Sequence, residues 1–159
     1  LAPGAAQIYY GDETARSLVQ PQAQGDAVLR SFMNWDQLRS NGPLPEQAGI
    51  TYQDVLRRWQ LLGRFRQAHP AIGMGQHRML SQQPYVFERS LKTESLQDYV
   101  IVALDLLKPA NQAKHQVPAG AFKEGQVVRD AYSGAKSKVK QGILEFDGKL
   151  SILLLSADK

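Results

Sequence analysis

Leu62-Gly63-Arg64-Phe65-Arg66-Gln67-Ala68-His69-Pro70-Ala71-Ile72-Gly73-Met74-Gly75 is where the chain changes character. Up to His69 the apolar residues recur at helical spacing, and beyond Gly75 they fall into short runs separated by turn residues. Pro70 marks the end of the helix, since proline removes a ladder donor and clashes with the preceding turn. The stretch therefore predicts a mainly β chain with a boundary close to residue 75, one domain over residues 1–75 and a second over 76–159.

Upstream of this stretch, Tyr52, Val55, Leu56, Trp59, Leu62 and Phe65 recur on one helical face. Thr51 and Asp54 stand like a capping box, so the helix is expected from Thr51 to about His69. At 100° per residue, Arg66 falls inside the arc of Val55, Trp59 and Leu62, whereas Arg57 and Arg64 face away. Leaving a buried charge unpaired costs roughly 3–5 kcal/mol. Arg66 is therefore predicted to be paired with a carboxylate or several carbonyls, a structural residue joining helix to sheet.

Residues 14 to 49 read mostly as loop, with Pro21, Gly25, Asn41, Gly42, Pro43 and Pro45. One apolar island, Phe32-Met33 and Trp35, is expected to anchor a small turn. Before it, Gln7-Ile8-Tyr9-Tyr10 is a β-branched and aromatic run between Pro3-Gly4 and Gly11-Asp12-Glu13, which suits a buried strand.

Downstream, strand-like runs cover 77–80, 85–91, 99–106, 126–132, 139–146 and 150–155, a spacing that predicts an antiparallel sandwich. Asp147-Gly148 sits between the last two runs, and Asp-Gly supplies the positive φ angles of a type I′ turn, so these runs are expected to form a hairpin.

The chain has 159 residues, is 43% apolar, and contains no run long enough to span a bilayer. Without cysteine, disulfides, thiolate zinc sites and cysteine nucleophiles are excluded. The formal charge of +4 is spread along the chain. Lys136, Lys138 and Lys140 alternate on one expected strand face, yet no aromatic residues interleave with them as a stacking platform. A solvated face is the expectation, with no nucleic acid or membrane partner. The start, Leu1-Ala2-Pro3-Gly4, has no initiator Met and no targeting segment, and is expected to be an internal cut in a longer chain.

Among chemistry-bearing residues, Asp12 and Glu13 follow the expected strand, where barrel enzymes place functional groups, although an ordinary strand-end turn with solvated or hydrogen-bonded carboxylates is the favoured reading. Adjacent strand residues point to opposite faces, so one of the two would face a site and the other would be structural. Fifteen acidic residues supply no pair of defined separation. His69, His77 and His115 lack metal-ligand spacing, no serine sits in G-x-S-x-G, and Gly73 and Gly75 open no phosphate-binding helix.

Three segments in order resemble the late motifs of the α-amylase family of glycoside hydrolases. Pro3-Gly4 leading to Ile8-Tyr9-Tyr10-Gly11-Asp12-Glu13 resembles the last conserved strand of its (β/α)₈ barrel, P-G-x-P-x-I-Y-Y-G-x-E, with Ala6 in place of the second proline. Arg30-Ser31-Phe32-Met33-Asn34-Trp35-Asp36 is similar to the R-x-x-M-x-W-D loop that follows. Leu62 to Ala71 resembles the closing helix, L-x-x-L-R-x-x-H-P-A, with Phe65 in place of leucine. The likeness is carried by motifs to about Leu80 and by pattern beyond it.

The resemblance implies the last strand, loops and helix of a barrel followed by a C-terminal antiparallel Greek-key β-sandwich. It implies a parent enzyme acting on starch, glycogen or maltodextrins, with its catalytic Asp, Glu and Asp upstream and none in this chain. Arg30, Asp36 and Glu13 would lie near the sugar cleft, and Tyr10, Gly11, Trp35 and Arg66 would be structural. No metal is expected here, and calcium, where the family uses it, would sit in an earlier subdomain. A periplasmic or secreted location would follow. A barrel strand without neighbours leaves backbone groups unpaired, so residues 1–50 are expected to dock on another copy, to be partly disordered, or to pair with chain outside this sequence. The contrasting reading is a free-standing carbohydrate-binding or interaction module, in which Trp35, Tyr9, Tyr10 or Tyr132 would stack on sugar rings.

Overall fold

A computed structural model describes residues 1–45, 47–104, 112–116, 121–147 and 150–158. The chain divides into two compact units, one of Ala5–Gly63 and one of Leu1–Gly4 with Arg64–Lys159. No helix among the described residues is long and apolar enough to cross a membrane.

In the first unit, Gln7–Tyr10 forms no strand, and Ile8, Tyr9 and Tyr10 are exposed. This corrects the expected buried strand: no described segment offers it a ladder, and a lone strand has no partner for its backbone groups. The chain continues through 3₁₀ turns at Asp12–Thr14 and Gly25–Leu29 to α1 (Trp35–Ser40) and a small hairpin, β1 (Pro43–Leu44) with β2 (Gln47–Thr51). Loop was expected across this region, and short structure occupies part of it. The apolar island is also corrected: Phe32 is 93% exposed and Trp35 is 56% exposed, so neither anchors a turn within the described chain.

Helix α2 (Tyr52–Ala68) begins as its capping residues require. Thr51 Oγ1 accepts from the Asp54 N–H at 3.2 Å, and Asp54 Oδ2 accepts from the Thr51 N–H at 2.8 Å and from its hydroxyl at 2.7 Å. Pro70 does not merely stop this helix; it also occupies the first turn of α3 (Pro70–Met74), where its missing N–H leaves no bond unmade. Arg66 is exposed, correcting the expected buried ion pair. The buried face at this end of α2 runs through Phe65 and on to His69, their rings 4.6 Å apart, which turns Arg66 about 100° away.

The second unit is an antiparallel β-sandwich. Its strands are β3 (Gln76–Ser81), β4 (Tyr85–Lys92), β5 (Gln97–Leu104), β6 (Gln112–Gln116), β7 (Val127–Asp130), β8 (Lys136–Lys138), β9 (Ile143–Asp147) and β10 (Ile152–Ala157). The described strands form one sheet in the order β3-β4-β5-β10-β7-β8 and a smaller one of β6 and β9. The last strand is inserted between β5 and β7, which is the crossing of a Greek key.

Alternation builds the core between the two sheets. Val86, Ile101, Leu153, Leu155 and Val128 of the large sheet pack with Leu144 and Phe146 of β9. The opposite face of the large sheet buries Phe87, Val100, Val102 and Leu154, and α3 lies along β4 and β5. Gly75 makes that approach possible, because a Cβ there would stand 2.5 Å from the Ala71 carbonyl oxygen and 2.6 Å from that of Ser90.

Three strand expectations change. Leu150–Leu155 does not pair with Ile143–Phe146: β9 pairs with β6, whereas β10 has β5 on one edge and β7 on the other and so has no free edge for a hairpin. Gly148 and Lys149 of the expected turn, like Asp105 and Leu106 of the third run, lie outside the described residues. The run 139–146 is not one strand either, because a tight turn brings Lys140 and Ile143 into mutual backbone hydrogen bonds, with Gln141 and Gly142 at positive φ. The lysine stripe is broken there. Lys136 and Lys138 stand on β8, with Lys136 Nζ 2.6 Å from Asp158, and Lys140 lies beyond the strand. Strand β6 was not expected at all, since its sequence Gln-Ala-Lys-His-Gln carries little β signal.

Candidate functional site

The candidate site residues other than Arg66 fall in the unit Ala5–Gly63, and an arginine that carries no motif ties Tyr10 to the segment that bears Arg30. Gly11 turns the chain at φ +88°, a region that disfavours side chains, and a Cβ there would come within 2.5 Å of Arg16 Nε. The room so created is filled by the buried Arg16. Its Nε donates to the Tyr10 carbonyl at 3.0 Å, and its Nη1 donates to the Ser31 carbonyl at 3.0 Å and to Ser31 Oγ at 2.6 Å. The guanidinium lies 4.0 Å from the Tyr10 ring centroid and 5.3 Å from that of Tyr9, within cation–π range.

Tyr10 closes the same link from its other end, its hydroxyl donating to the Ser31 carbonyl at 3.1 Å. A second tie runs parallel to it: Thr14 Oγ1 donates to Asn34 Oδ1 at 2.7 Å, and Asn34 Nδ2 donates back to the Thr14 carbonyl at 2.8 Å. The segment bearing Glu13 and the segment bearing Arg30 are thus joined by side chains of both.

Each candidate then has a definite place. Glu13 Oε2 accepts the Gly11 N–H at 3.1 Å, and Asp12 Oδ2 accepts the Tyr9 N–H at 2.9 Å, so both carboxylates hold their own turn. Arg30 is exposed beside the Ser31 link. Asp36 stands in the first turn of α1, exposed and paired with Arg39, and is not drawn into the Arg16 cluster. Tyr10 and Gly11 have structural parts as described, Trp35 is exposed, and Arg66 belongs to the other unit. Among the described residues, no group of three or more histidines and carboxylates is arranged to hold a metal ion.

Sequence reasoning passed over Arg16 and Asn34. The signal available for Arg16 was its position shortly after Tyr-Tyr-Gly inside a long loop, where a glycine at a turn often admits a close neighbour. Asn34 stood at a variable position of the motif and so drew no weight.

No protein-family model matches the chain. Over 90 residues the chain is 38% identical to the periplasmic alpha-amylase of Escherichia coli strain K12, a stretch that is 56% of this chain and 12% of that protein. The crystal structure of an Anoxybacillus alpha-amylase matches 95% of this chain and 29% of its own, with a TM-score of 0.60 and 18% identity. AmyP crystallised with maltose matches 69% of this chain and 22% of its own, at a TM-score of 0.49 and 17% identity. Sequence and fold together relate the chain to the α-amylase family of glycoside hydrolases, and it spans a minor part of the length of the relatives it matches.

Proposed function

We propose that the chain is the C-terminal portion of an α-amylase-type hydrolase of α-glucans, non-catalytic by itself, whose catalytic carboxylates lie on chain upstream of it. The observation that carries this reading is the relationship to the periplasmic alpha-amylase over 90 residues, 12% of that protein's length. Residues 1–75 then complete a catalytic barrel, residues 76–159 form its C-terminal domain, and the parent acts in the periplasm or outside the cell. In that setting the exposed Arg30 and Asp36 offer a cation and a carboxylate to sugar hydroxyls, and Glu13 keeps the turn beside them in shape. Ile8, Phe32 and Trp35 are exposed apolar side chains of the kind that upstream barrel chain, or a second copy, would cover. Calcium, if the parent holds it, belongs to the upstream part.

The test is reducing-sugar release from soluble starch and maltoheptaose, by this chain and by a version extended upstream through a complete barrel. Activity in the extended version alone supports the reading, and turnover by the 159 residues themselves overturns it. The exposure of Trp35 favours a second reading, a free-standing carbohydrate-binding module. Silence from both versions, with sugar binding retained, selects that second reading.

A further inference from the structure

One face of the large sheet changes chemistry along its length. At one end it carries Val86, Ile101 and Ala103 and faces the core. Two or more residues further along the same strands, where strict alternation demands the same face, it carries Gln76 and Arg78 of β3, Glu88 and Lys92 of β4, and Gln97 of β5. Across the strands Gln76 pairs with Ser90, Ser90 with Tyr99, and Lys92 with Gln97, so these residues sit side by side. They line a groove of about 530 Å³, within the range of about 300–1,000 Å³ typical of small-molecule sites.

The floor of the groove is pre-organised. Arg78 grips Glu88 in two parallel bonds, Nε to Oε1 at 2.7 Å and Nη2 to Oε2 at 3.0 Å, and the Tyr99 hydroxyl donates to the same carboxylate. Tyr99 is held in turn by an edge-on contact with Phe122, ring centroids 5.5 Å apart. Burial opposes ionisation of Glu88, yet the Arg78 and Tyr99 bonds more than offset it and keep the carboxyl below its ordinary range. Burial, followed by the bond to Glu88, raises the Tyr99 phenol far above its own range.

The balance of groups selects the ligand. Arg78 is neutralised by Glu88, and the Asp98 carboxylate is held by His69 and the Ala71 N–H, so Lys92 is the remaining charge of the lining and no cluster of charge recommends an ion. The exposed amides of Gln76 and Gln97 each offer both a donor and an acceptor, as vicinal sugar hydroxyls require. Met74, 72% exposed at the rim, supplies an apolar patch for sugar C–H groups. We propose that this polar shelf on β3, β4 and β5 is a carbohydrate-binding site built from residues of the second unit alone. The choice of an α-glucan as its ligand rests on the proposed function.

The experiment is a titration of maltotriose into the 159-residue chain, followed by NMR of the side-chain amides of Gln76 and Gln97 and of Arg78 Nε. Saturable movement of these signals is expected. A Gln76→Ala, Gln97→Ala double variant should weaken binding about tenfold, the effect of losing hydrogen bonds that together contribute about 1.4 kcal/mol. Both positions are exposed, so the melting temperature should hold. Absence of saturation, an isotherm unchanged in the double variant, or movement confined to residues 5–63 overturns the shelf, and none of these touches the starch assay. Binding on the shelf together with an inactive extended enzyme supports the shelf and overturns the hydrolase reading instead.

Discussion

Arg16 holds Tyr10 twice: its Nε donates to the Tyr10 carbonyl at 3.0 Å, and its guanidinium lies 4.0 Å from the Tyr10 ring centroid. This grip depends on Gly11, since any side chain there would occupy the space of Arg16. Gly11→Ala should therefore destabilise the loop pair by at least about 1–3 kcal/mol, from the positive φ alone, with the clash adding to it. Faster amide hydrogen exchange from Asp12 to Arg16 would register this. Arg16→Met should give the same pattern and extend it to Ser31, whose carbonyl loses the Nη1 donor.

The pH response of the N-terminus of α2 follows from Asp54. Bonds from the Thr51 hydroxyl and backbone N–H, then from Arg57, lower its pKa to about 2 from an ordinary 3.8. A depressed carboxylate stabilises the fold above its unfolded pKa and loses that contribution as pH falls through the folded value. Asp54→Asn should therefore lower the melting temperature at pH 6. The difference from the parent chain should shrink between about pH 4 and pH 2 and vanish below, as read by circular dichroism.

Asp98 joins sheet to helix. Its Oδ1 stands 2.8 Å from His69 Nδ1, and its Oδ2 accepts the Ala71 N–H at 2.9 Å in the first turn of α3. Asp98→Ala leaves both groups unpaired where water has little access, a loss of about 1–3 kcal/mol for each buried orphan. Urea denaturation should show Asp98→Asn losing clearly less, because an amide oxygen still accepts one of the two bonds.

Leu144 and Phe146 of β9 lie in the core cluster with residues of the large sheet. Leu144→Ala removes a fully buried contact and should cost about 2–5 kcal/mol in chemical denaturation. In the same chain Phe32→Ser should change stability by less than about 0.5 kcal/mol, since Phe32 touches almost nothing. A larger loss at Phe32 would mean that the chain associates through that surface.

Much of this architecture was legible before the structure. Helix α2 could be read from Tyr52, Val55, Trp59 and the Thr51–Asp54 box, because a helix satisfies its backbone locally and its signals lie within a few residues. The strands from Gln76 to Leu104 followed from alternation for a similar reason. Around the candidate site, motif drew attention to Tyr10, Gly11, Glu13 and Arg30 but not to Arg16, since its partners Ser31 and Tyr10 are distant along the chain or lie in the backbone.

The sequence by itself determined helix α2, the strands between Gln76 and Leu104, and the apolar face of each of them. Those properties depend on residues within one or two turns of each other. Only the tertiary structure decided that β10 lies between β5 and β7 and is not a partner of β9, that Phe65 and not Arg66 takes the buried side of the helix end, and that Arg78, Glu88 and Tyr99 meet on one face. Strand edges are chemically alike, and a local pattern says which way a side chain points but not what it meets. That choice belongs to the packing of segments far apart in the chain.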